Sequence, residues 1–398
     1  MISADRAIDT ILSNIDRLEI EDIDIHSAYD SVLAEDVKAD IDIPPFDKSA
    51  MDGYAVRARD ITSVPATLGI QNTVKAGDSV SEGVKSGLCV KIMTGAPVPS
   101  GADSVVMVED TQIAEDGGVE ILKEVEKGQN ICLQGEDVKK GTVVLKRNTV
   151  IDAPEIAILS SVGKSVISVY KKPEVAIIST GNEIVEPGKP LKDGQIRNSN
   201  GPMLRSMVIS LGCKSRYLGI AADTEPALRK KIRDGFKSDV LLLSGGVSMG
   251  EYDLIPKVVS DLGAKIFFHK VLVKPGKPLL FALKGKTVIF GIPGNPVSNF
   301  TTFHVFIKPA LLKMMGITDF EVSLNEAIMD IDFKNRNERV HIVPSRFFFK
   351  GTELRVTPFT LNGSADIIGC SKANCLTIIE KNRGNIKKGE RVKVLPLN

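Results

Sequence analysis

The sequence has almost no net charge, few cysteines and no long apolar run, and each absence excludes a class of protein. Lys and Arg total 51 against 50 Asp and Glu, so no overall field draws the chain to nucleic acid or an anionic membrane. The five cysteines are scattered without a C-x-x-C pair, which argues against a disulfide framework and a zinc site. No stretch reaches the roughly 18 apolar residues of a membrane span. We expect a cytoplasmic protein that binds neither nucleic acid nor membrane.

Histidine is also scarce. The four histidines are dispersed without an i, i+4 pair, so a histidine metal site is not expected. No Ser-His-Asp or Cys-His arrangement suggests itself, and covalent catalysis is therefore not predicted. What the chain does have is length and a balanced composition, with 398 residues of which 43% are apolar and 25% charged. Several globular domains are expected.

Regions of four different patterns follow one another along the chain. Residues 1–43, which open with an amphipathic helix, combine with residues 146–173 in a predicted helical and extended domain. Residues 44–145 hold short strands broken by glycine, which indicates a β-rich inserted domain. Residues 174–318 alternate apolar strands with helices, which is typical of a parallel α/β domain. In residues 319–398, apolar and polar residues alternate in short strands separated by Gly and Asn turns, which predicts a C-terminal β-barrel domain, so the fold class is multidomain α/β plus β.

Two glycine-rich loops follow strands of the α/β region. Ligands of open parallel sheets bind beyond the carboxyl ends of the strands, and backbone N–H groups there can wrap a phosphate. The candidate residues are Ser244, Gly245, Gly246, Ser248 and Gly250 in the first loop and Gly294, Asn295 and Ser298 in the second. Neither loop matches the dinucleotide or P-loop pattern, so NAD enzymes and P-loop NTPases are disfavoured. Tight turns without a ligand are the alternative for either loop alone, whereas two such loops on one edge favour an anionic ligand.

Three carboxylates follow three different strands of the same region. Glu183, Asp223 and Asp253 would stand beside the predicted phosphate cradle, where their charges would repel an anion. A hard cation such as Mg²⁺ offsets that repulsion, so a magnesium site is predicted. Taken singly, Asp223 can instead cap the helix that follows it.

Three lysines surround a Pro-Gly turn in the stretch HKVLVKPGKP. If Lys270 and Lys274 lie on one strand, they share a face that suits an oxyanion, with Lys277 close by. A solvated basic face is the alternative. The prolines on both sides of a Gly-Lys pair fix the backbone, which favours a binding role.

Seven segments together resemble the molybdopterin molybdenumtransferase family, in the family's order and over essentially the whole chain. The segments are PPFDKSAMDGYAV, IMTGAPVPSGADSVVMVED, GEDVKKG, STGNEI, SGGVSMGEYD, KPGKP and GIPGNPVSNF. The catalytic domain of gephyrin shares the pattern. Each segment alone is a modest signal, but the seven together are highly specific.

The resemblance implies a reaction and a set of site residues. The family joins molybdate to adenylylated molybdopterin and releases AMP, with Mg²⁺ or a similar ion, as an elongated homodimer of four-domain chains. Its functional positions fall on Asp52, Thr94, Asp137, Glu183, Asp223, Asp253, Lys270, Lys274 and Ser364. The resemblance also implies that the segment around Asp52 faces the α/β domain of the partner subunit across a cleft. Tungstate is an equal candidate for the oxyanion, because its size and charge are nearly those of molybdate.

Two other functions stay open on the sequence. One is molybdopterin adenylyltransferase, whose single domain resembles residues 174–316; the additional β-rich regions argue against it. The other is a non-catalytic, gephyrin-like scaffold. That role requires a peptide groove, and no pattern in residues 319–398 marks one.

Overall fold

The computed structural model describes residues 1–247, 254–318, 324–335, 338–361 and 363–397. Up to residue 173 the elements are α1 (Ala4–Ser13), β1 (Ile20–Asp24), β2 (Val37–Lys38), β3 (Lys48–Ser49), β4 (Gly53–Val56), β5 (Ala66–Val74), β6 (Leu88–Ile92), β7 (Ser104–Met107), β8 (Thr111–Ile113), β9 (Val119–Ile121), β10 (Ile131–Cys132), β11 (Val143–Leu145), α2 (Ala153–Ser161) and β12 (Val166–Tyr170). Three 3₁₀ turns cover Ile25–Ser27, Ala58–Asp60 and Val108–Asp110.

The middle of the chain contributes β13 (Glu174–Thr180), β14 (Ile184–Val185), β15 (Ile196–Arg197), α3 (Asn200–Ser210), β16 (Lys214–Ala221), α4 (Glu225–Gly235), β17 (Val240–Ser244), α5 (Ile255–Asp261), β18 (Lys265–Lys270), β19 (Val273–Lys274), β20 (Pro278–Lys284), β21 (Thr287–Ile292), α6 (Pro296–Thr302) and α7 (Lys308–Met314). A π-helical turn, Phe303–Ile307, joins α6 to α7. The last elements are β22 (Asn325–Met329), β23 (Val340–Lys350), β24 (Glu353–Pro358), α8 (Ile367–Cys370), β25 (Cys375–Ile379) and β26 (Arg391–Pro396). Among the described helices, none is long and apolar enough to cross a membrane.

The first helix buries the apolar face that its periodicity predicts. The Ser3 hydroxyl accepts the N–H of Arg6 at 3.3 Å and so caps the helix start. Ile11 and Ile15 are buried in the core beneath the α/β sheet, which also contains residues of α7. Although we grouped this helix with residues 1–43, its packing ties it to the α/β region. The division of the chain into four domains stays a prediction.

A six-stranded sheet of order β7-β4-β6-β5-β9-β8 forms the β-rich region. Its pairings are antiparallel except for β5 with β6. All four residues of β4 are buried. Gly53 lets β4 approach β7 closely, since a Cβ at this position would lie 1.8 Å from the carbonyl oxygen of Val106. The predicted β-rich fold of this region is confirmed, and strand β4, which lies between β7 and β6, begins one residue after Asp52.

The α/β sheet has the order β16-β13-β17-β21-β20-β18. Strands β16, β13, β17 and β21 are parallel, as their apolar runs predict. The parallel arrangement that we predict for this domain does not extend to β20, which is antiparallel to both neighbours. Residues Gly285 and Lys286 alone connect β20 to β21, and so short a turn cannot make the crossover that a parallel pair requires.

Five strands of the C-terminal region close into a small barrel. They pair in the order β23-β24-β22-β26-β25, and β23 also pairs with β25, which completes the ring. Apolar side chains that alternate along these strands, among them Val343, Val356 and Val394, fill the interior. The predicted barrel is confirmed. Strand β19 extends it by pairing with β23, so the barrel is tied to the α/β region.

We expect Gly53→Ala to destabilise the β-rich sheet. Its new methyl group has no room beside the Val106 carbonyl, and overpacking of this kind costs about 3 kcal/mol. The thermal midpoint of the affected transition should fall by several degrees in calorimetry. Gly294→Ala is the control, because among the described residues a Cβ there meets only Gly245 Cα, at 3.7 Å. Equal midpoints for the two variants would contradict the close approach.

Candidate functional site

The carboxyl ends of five strands meet at one edge of the α/β sheet. Strand β18 runs in the same direction as the four parallel strands, since both it and β21 are antiparallel to β20. The strands therefore finish together at Thr180, Ala221, Ser244, Lys270 and Ile292. This geometry brings both glycine loops, the acids that follow β13 and β16, and the lysine loop to one place.

The two glycine loops face each other at this edge. Gly245 has a φ of 101°, and a Cβ there would lie 2.6 Å from the carbonyl oxygen of Thr180. A Cβ on Gly294 would be 3.7 Å from Gly245 Cα, so the loops are separated by little more than van der Waals contact. Within the described ranges, the N–H groups of Gly246 and Gly294 donate to no acceptor. They are available to bind an anion.

An amide clamp, formed by Asn200, Ser244 and Asn299, lies buried beneath the loops. The Ser244 hydroxyl accepts from Asn200 Nδ2 at 3.0 Å and from Asn299 Nδ2 at 2.8 Å. The same amides donate to the carbonyls of Gly294 at 2.6 Å and Pro293 at 3.3 Å. The clamp thereby joins the end of β17 to the loop after β21.

The clamp changes how two sequence patterns are interpreted. We listed Ser244 among the substrate-binding residues, and the structure shows its side chain engaged inside the protein at 1% exposure. Direct contact of Ser244 with a substrate stays a prediction. We missed Asn200 and Asn299. For Asn299 the available signal was an asparagine inside a helical pattern, since asparagine disfavours helix interiors and needs partners when buried; Asn200, the first residue of α3, gave no such signal.

The predicted acids lie at adjacent strand ends. Asn182 N–H donates to Asp223 Oδ2 at 3.2 Å, and Asp223 N–H donates to Asn182 Oδ1 at 3.0 Å. The carboxylate of Glu183 folds back over Gly181, where a Cβ would lie 2.7 Å from Oε2. The cap residue of α4 is Thr224, so Asp223 does not occupy the cap position that we considered.

Ser248, Gly250 and Asp253 lie outside the described residues, and the predictions made for them stand as predictions. Glu183 and Asp223 offer oxygen ligands, which Mg²⁺ prefers. Across the described ranges, no three His, Cys, Asp or Glu side chains form a metal-binding group.

The lysine loop differs from the predicted arrangement on a single strand. Lys270 ends β18, whereas Lys274 belongs to β19 and pairs with the barrel. The shared strand face that we expected is therefore wrong, because the chain leaves the sheet between the two lysines. The loop returns to the α/β sheet at Lys277, just before β20, and the Lys277 carbonyl accepts Val271 N–H at 3.0 Å. All three lysines still lie near the site edge.

Ser364 from the barrel region reaches the second glycine loop. Its hydroxyl accepts from Asn295 Nδ2 at 2.7 Å, and its carbonyl accepts Val297 N–H at 3.0 Å. These contacts border a groove of about 540 Å³ between the α/β sheet and the barrel, which Lys274 and His341 also line. Burial, with the nearby positive charge of Lys274, lowers the pKa of His341 to about 4. The imidazole is therefore neutral at physiological pH.

Asp52 and Thr94 form a pair in the β-rich region. The Asp52 carboxylate accepts the Thr94 N–H at 2.7 Å and the Thr94 hydroxyl at 2.9 Å. Both bonds, the backbone one first, hold the pKa of Asp52 below its usual value. Asp137 belongs to a turn anchored to the segment before Asp52, with its N–H donated to the Ile43 carbonyl at 3.0 Å. Its carboxylate forms no hydrogen bond with Asp52 or Thr94 in the described part of the chain.

Exposed apolar side chains accompany the Asp52–Thr94 pair. Phe46, Met51, Val108 and Leu133 are between 41% and 54% exposed, and Val108 N–H donates to the Asp52 carbonyl. No hydrogen bond or ion pair between described residues links the Asp52–Thr94 pair to the edge of the α/β sheet. One chain thus carries two separate groups of predicted site residues.

A second cavity of about 700 Å³ lies at the opposite edge of the α/β sheet, where strands begin. Its lining mixes acids and bases that partly neutralise one another. Glu19, for example, accepts from Lys171 at 3.1 Å and from Lys286 at 3.3 Å. None of the predicted site residues that the structure describes lines this cavity.

Family models match three parts of the chain. The model of the MoeA N-terminal region (domain I and II) matches residues 2–163, the model of a probable molybdopterin binding domain matches residues 176–313, and the model of the MoeA C-terminal region (domain IV) matches residues 326–397. Together they include the β-rich regions that a single-domain adenylyltransferase would lack.

Whole relatives agree with these matches. Molybdopterin molybdenumtransferase of Staphylococcus aureus (strain Mu50) is 33% identical over 99% of this chain and 95% of its own. The Haemophilus influenzae protein of the same name is 33% identical over 100% of this chain and 99% of its own. A crystal structure of a Pyrococcus horikoshii moeA protein has a TM-score of 0.82 and 30% identity, covering 100% of both chains. These findings confirm the resemblance that the motifs indicated, and the chain belongs to the molybdopterin molybdenumtransferase family of transferases.

Proposed function

We propose that this protein inserts molybdenum into molybdopterin, using molybdate or tungstate and the adenylylated pterin, and releases AMP. The observation that carries the proposal is the convergence of two glycine loops, two acids and three lysines on one sheet edge. Such a set suits a ligand with several phosphate charges beside an oxyanion.

Each group has a role in the proposed reaction. The N–H groups of Gly246 and Gly294, which donate to no acceptor in the described part of the chain, bind phosphate oxygens, and the two glycines let the ligand approach the backbone. Lys270 and Lys274 bind molybdate and hold one of its oxygens near the pyrophosphate, so that AMP can leave. Positioning and charge neutralisation supply the rate enhancement.

Glu183, Asp223 and Asp253 would together hold a divalent cation such as Mg²⁺. Their carboxylate oxygens fit the chemistry of this ion. When bound, the cation would neutralise charge on the pyrophosphate. Asn182 and Asp223 exchange hydrogen bonds, which keeps Asp223 beside the turn that contains Glu183.

The active protein, in this proposal, is a homodimer in which each site uses two chains. The polar Asp52–Thr94 pair is accompanied by the exposed apolar side chains of Phe46, Met51 and Val108. This combination favours a protein–protein interface. Docking this surface over the sheet edge of a second chain would bury the apolar side chains and bring the Asp52 carboxylate to the ligand. A closed two-fold arrangement then produces two equivalent sites.

Anaerobic incubation with adenylylated molybdopterin, Mg²⁺ and either oxyanion tests the reaction. We expect AMP to appear in step with oxyanion consumption. Turnover should be lost in Asp52→Asn and in Asp223→Asn, although both variants should remain folded. No AMP from the wild-type protein, or full turnover by both variants, would refute the proposal.

Mixed dimers test whether the site is shared. Co-expression of Asp52→Asn with Asp223→Asn chains, carrying different tags, allows purification of the heterodimer. If each site takes Asp52 from one chain and Asp223 from the other, one site is intact, so activity should be about half that of wild type. A site within one chain would leave every site damaged and the heterodimer inactive. The control is a heterodimer of one wild-type chain and one chain that carries both Asp52→Asn and Asp223→Asn. If the site is shared, each of the two sites in this heterodimer contains one mutated residue, and both should be inactive.

Thr94→Val should shift the acid limb of the pH profile upward. The hydroxyl stabilises the ionised form of Asp52, so its loss raises the pKa of this carboxyl. Protonation, and with it loss of AMP release, then begins at higher pH as the solution is acidified. Thr94→Ser keeps the hydroxyl and should behave as wild type. ¹³C NMR of the Asp52 carboxyl gives the pKa directly, and equal titrations for the valine and serine variants would contradict this role.

A further inference from the structure

The turns after β13 and β16 exchange hydrogen bonds beyond the end of the sheet. The last ladder pair of these strands is Thr180 with Ala221, and Gly181 N–H then donates to the Ala221 carbonyl at 3.3 Å. One residue further, Asn182 N–H donates to Asp223 Oδ2 at 3.2 Å, and Asp223 N–H donates to Asn182 Oδ1 at 3.0 Å. Side chains thus continue the pairing where the backbone ladder stops.

The orientation of the Asn182 amide follows from this pairing. A backbone N–H can only donate, so the amide atom that faces the N–H of Asp223 is the oxygen. Asn182 therefore holds Asp223 at two points. Its side-chain oxygen fixes the main chain of Asp223, and its own main chain fixes one of the two carboxylate oxygens.

We propose that Asn182 is a positioning residue, which aims the Asp223 carboxylate at the proposed site. The inference rests on the proposed function, in which Asp223 takes part in the reaction. Asn182 itself is exposed and belongs to neither core cluster that the described residues form around the α/β sheet, so a change there leaves the packing of the sheet intact. Its effect on turnover would pass through the position of one carboxylate.

Two substitutions distinguish the role of Asn182 Oδ1 from that of Asn182 Nδ2. Asn182→Ala removes the acceptor for Asp223 N–H, and a misplaced catalytic group lowers turnover about 10- to 100-fold. Asn182→Asp keeps an oxygen at the same position and should stay within about threefold of wild type, since it preserves the bond that orients Asp223. The loss in Asn182→Ala should appear in kcat, with the KM for molybdate nearly unchanged, because the lysine loop is untouched.

Wild-type turnover by Asn182→Ala would overturn the proposal, and so would equal losses in both variants, because the amide N–H group would then be the part that matters. Thermal midpoints should be equal in all three proteins; a lower midpoint in Asn182→Ala would make its loss structural and would also overturn the proposal. A crystal structure of Asn182→Ala provides a readout that needs no turnover. The Asp223 carboxylate should leave its wild-type position, and an unmoved carboxylate would refute the inference even if the proposed reaction itself failed.

Discussion

The whole site depends on the parallel strands that end together, and on the amide clamp that holds two of their loops in contact. Glycine loops can approach each other this closely only if their carbonyl groups keep hydrogen-bond partners when water is excluded. Asn200 and Asn299 supply those partners to Gly294 and Pro293, and both amides also donate to Ser244. These four bonds connect the two loops across the floor of the site, where Asn200 Oδ1 and Asn299 Oδ1 have no hydrogen-bond partner among the described residues. The N–H groups above it can then face outward.

The predicted site residues also lie in two different regions of the chain. Asp52 and Thr94 bind each other at the start of the β-rich sheet, whereas the acids and lysines lie at the edge of the α/β sheet. The proposed dimer gives both groups a purpose, because one chain alone leaves a carboxylate of lowered pKa among exposed apolar side chains. The chain has a β-rich region in addition to the α/β sheet, and the shared site that we propose gives that region a role.

The sequence predicted the fold class, and it predicted which loops meet, because periodicity and strand-end chemistry depend on local residues. Strands β13, β17 and β21 were readable from their apolar runs, and α1 from its 3.6-residue period. The segment PLLFALK does not indicate whether β20 is parallel or antiparallel to its neighbours, because a buried strand has the same composition in either case. Only the two-residue turn that follows it indicated an antiparallel pair.

Contacts between residues far apart in the sequence were the second feature that local sequence patterns could not predict. Lys270 and Lys274 have the spacing of one strand face, but the chain changes sheets between them. The contact of Asp52 with Thr94 joins residues 42 positions apart, and that of Asn295 with Ser364 joins residues 69 apart. Such pairs follow from tertiary packing rather than from local pattern. Family resemblance selected most of these residues in advance, but not Asn200 or Asn299.

A crystal structure of the dimer with bound AMP tests the central claim most directly. The account predicts that the AMP phosphate accepts hydrogen bonds from Gly246 and Gly294 of one chain, with Asp52 of the second chain facing the same pocket. A phosphate bound away from both glycine loops, or a pocket in which Asp52 comes from the same chain, would contradict it.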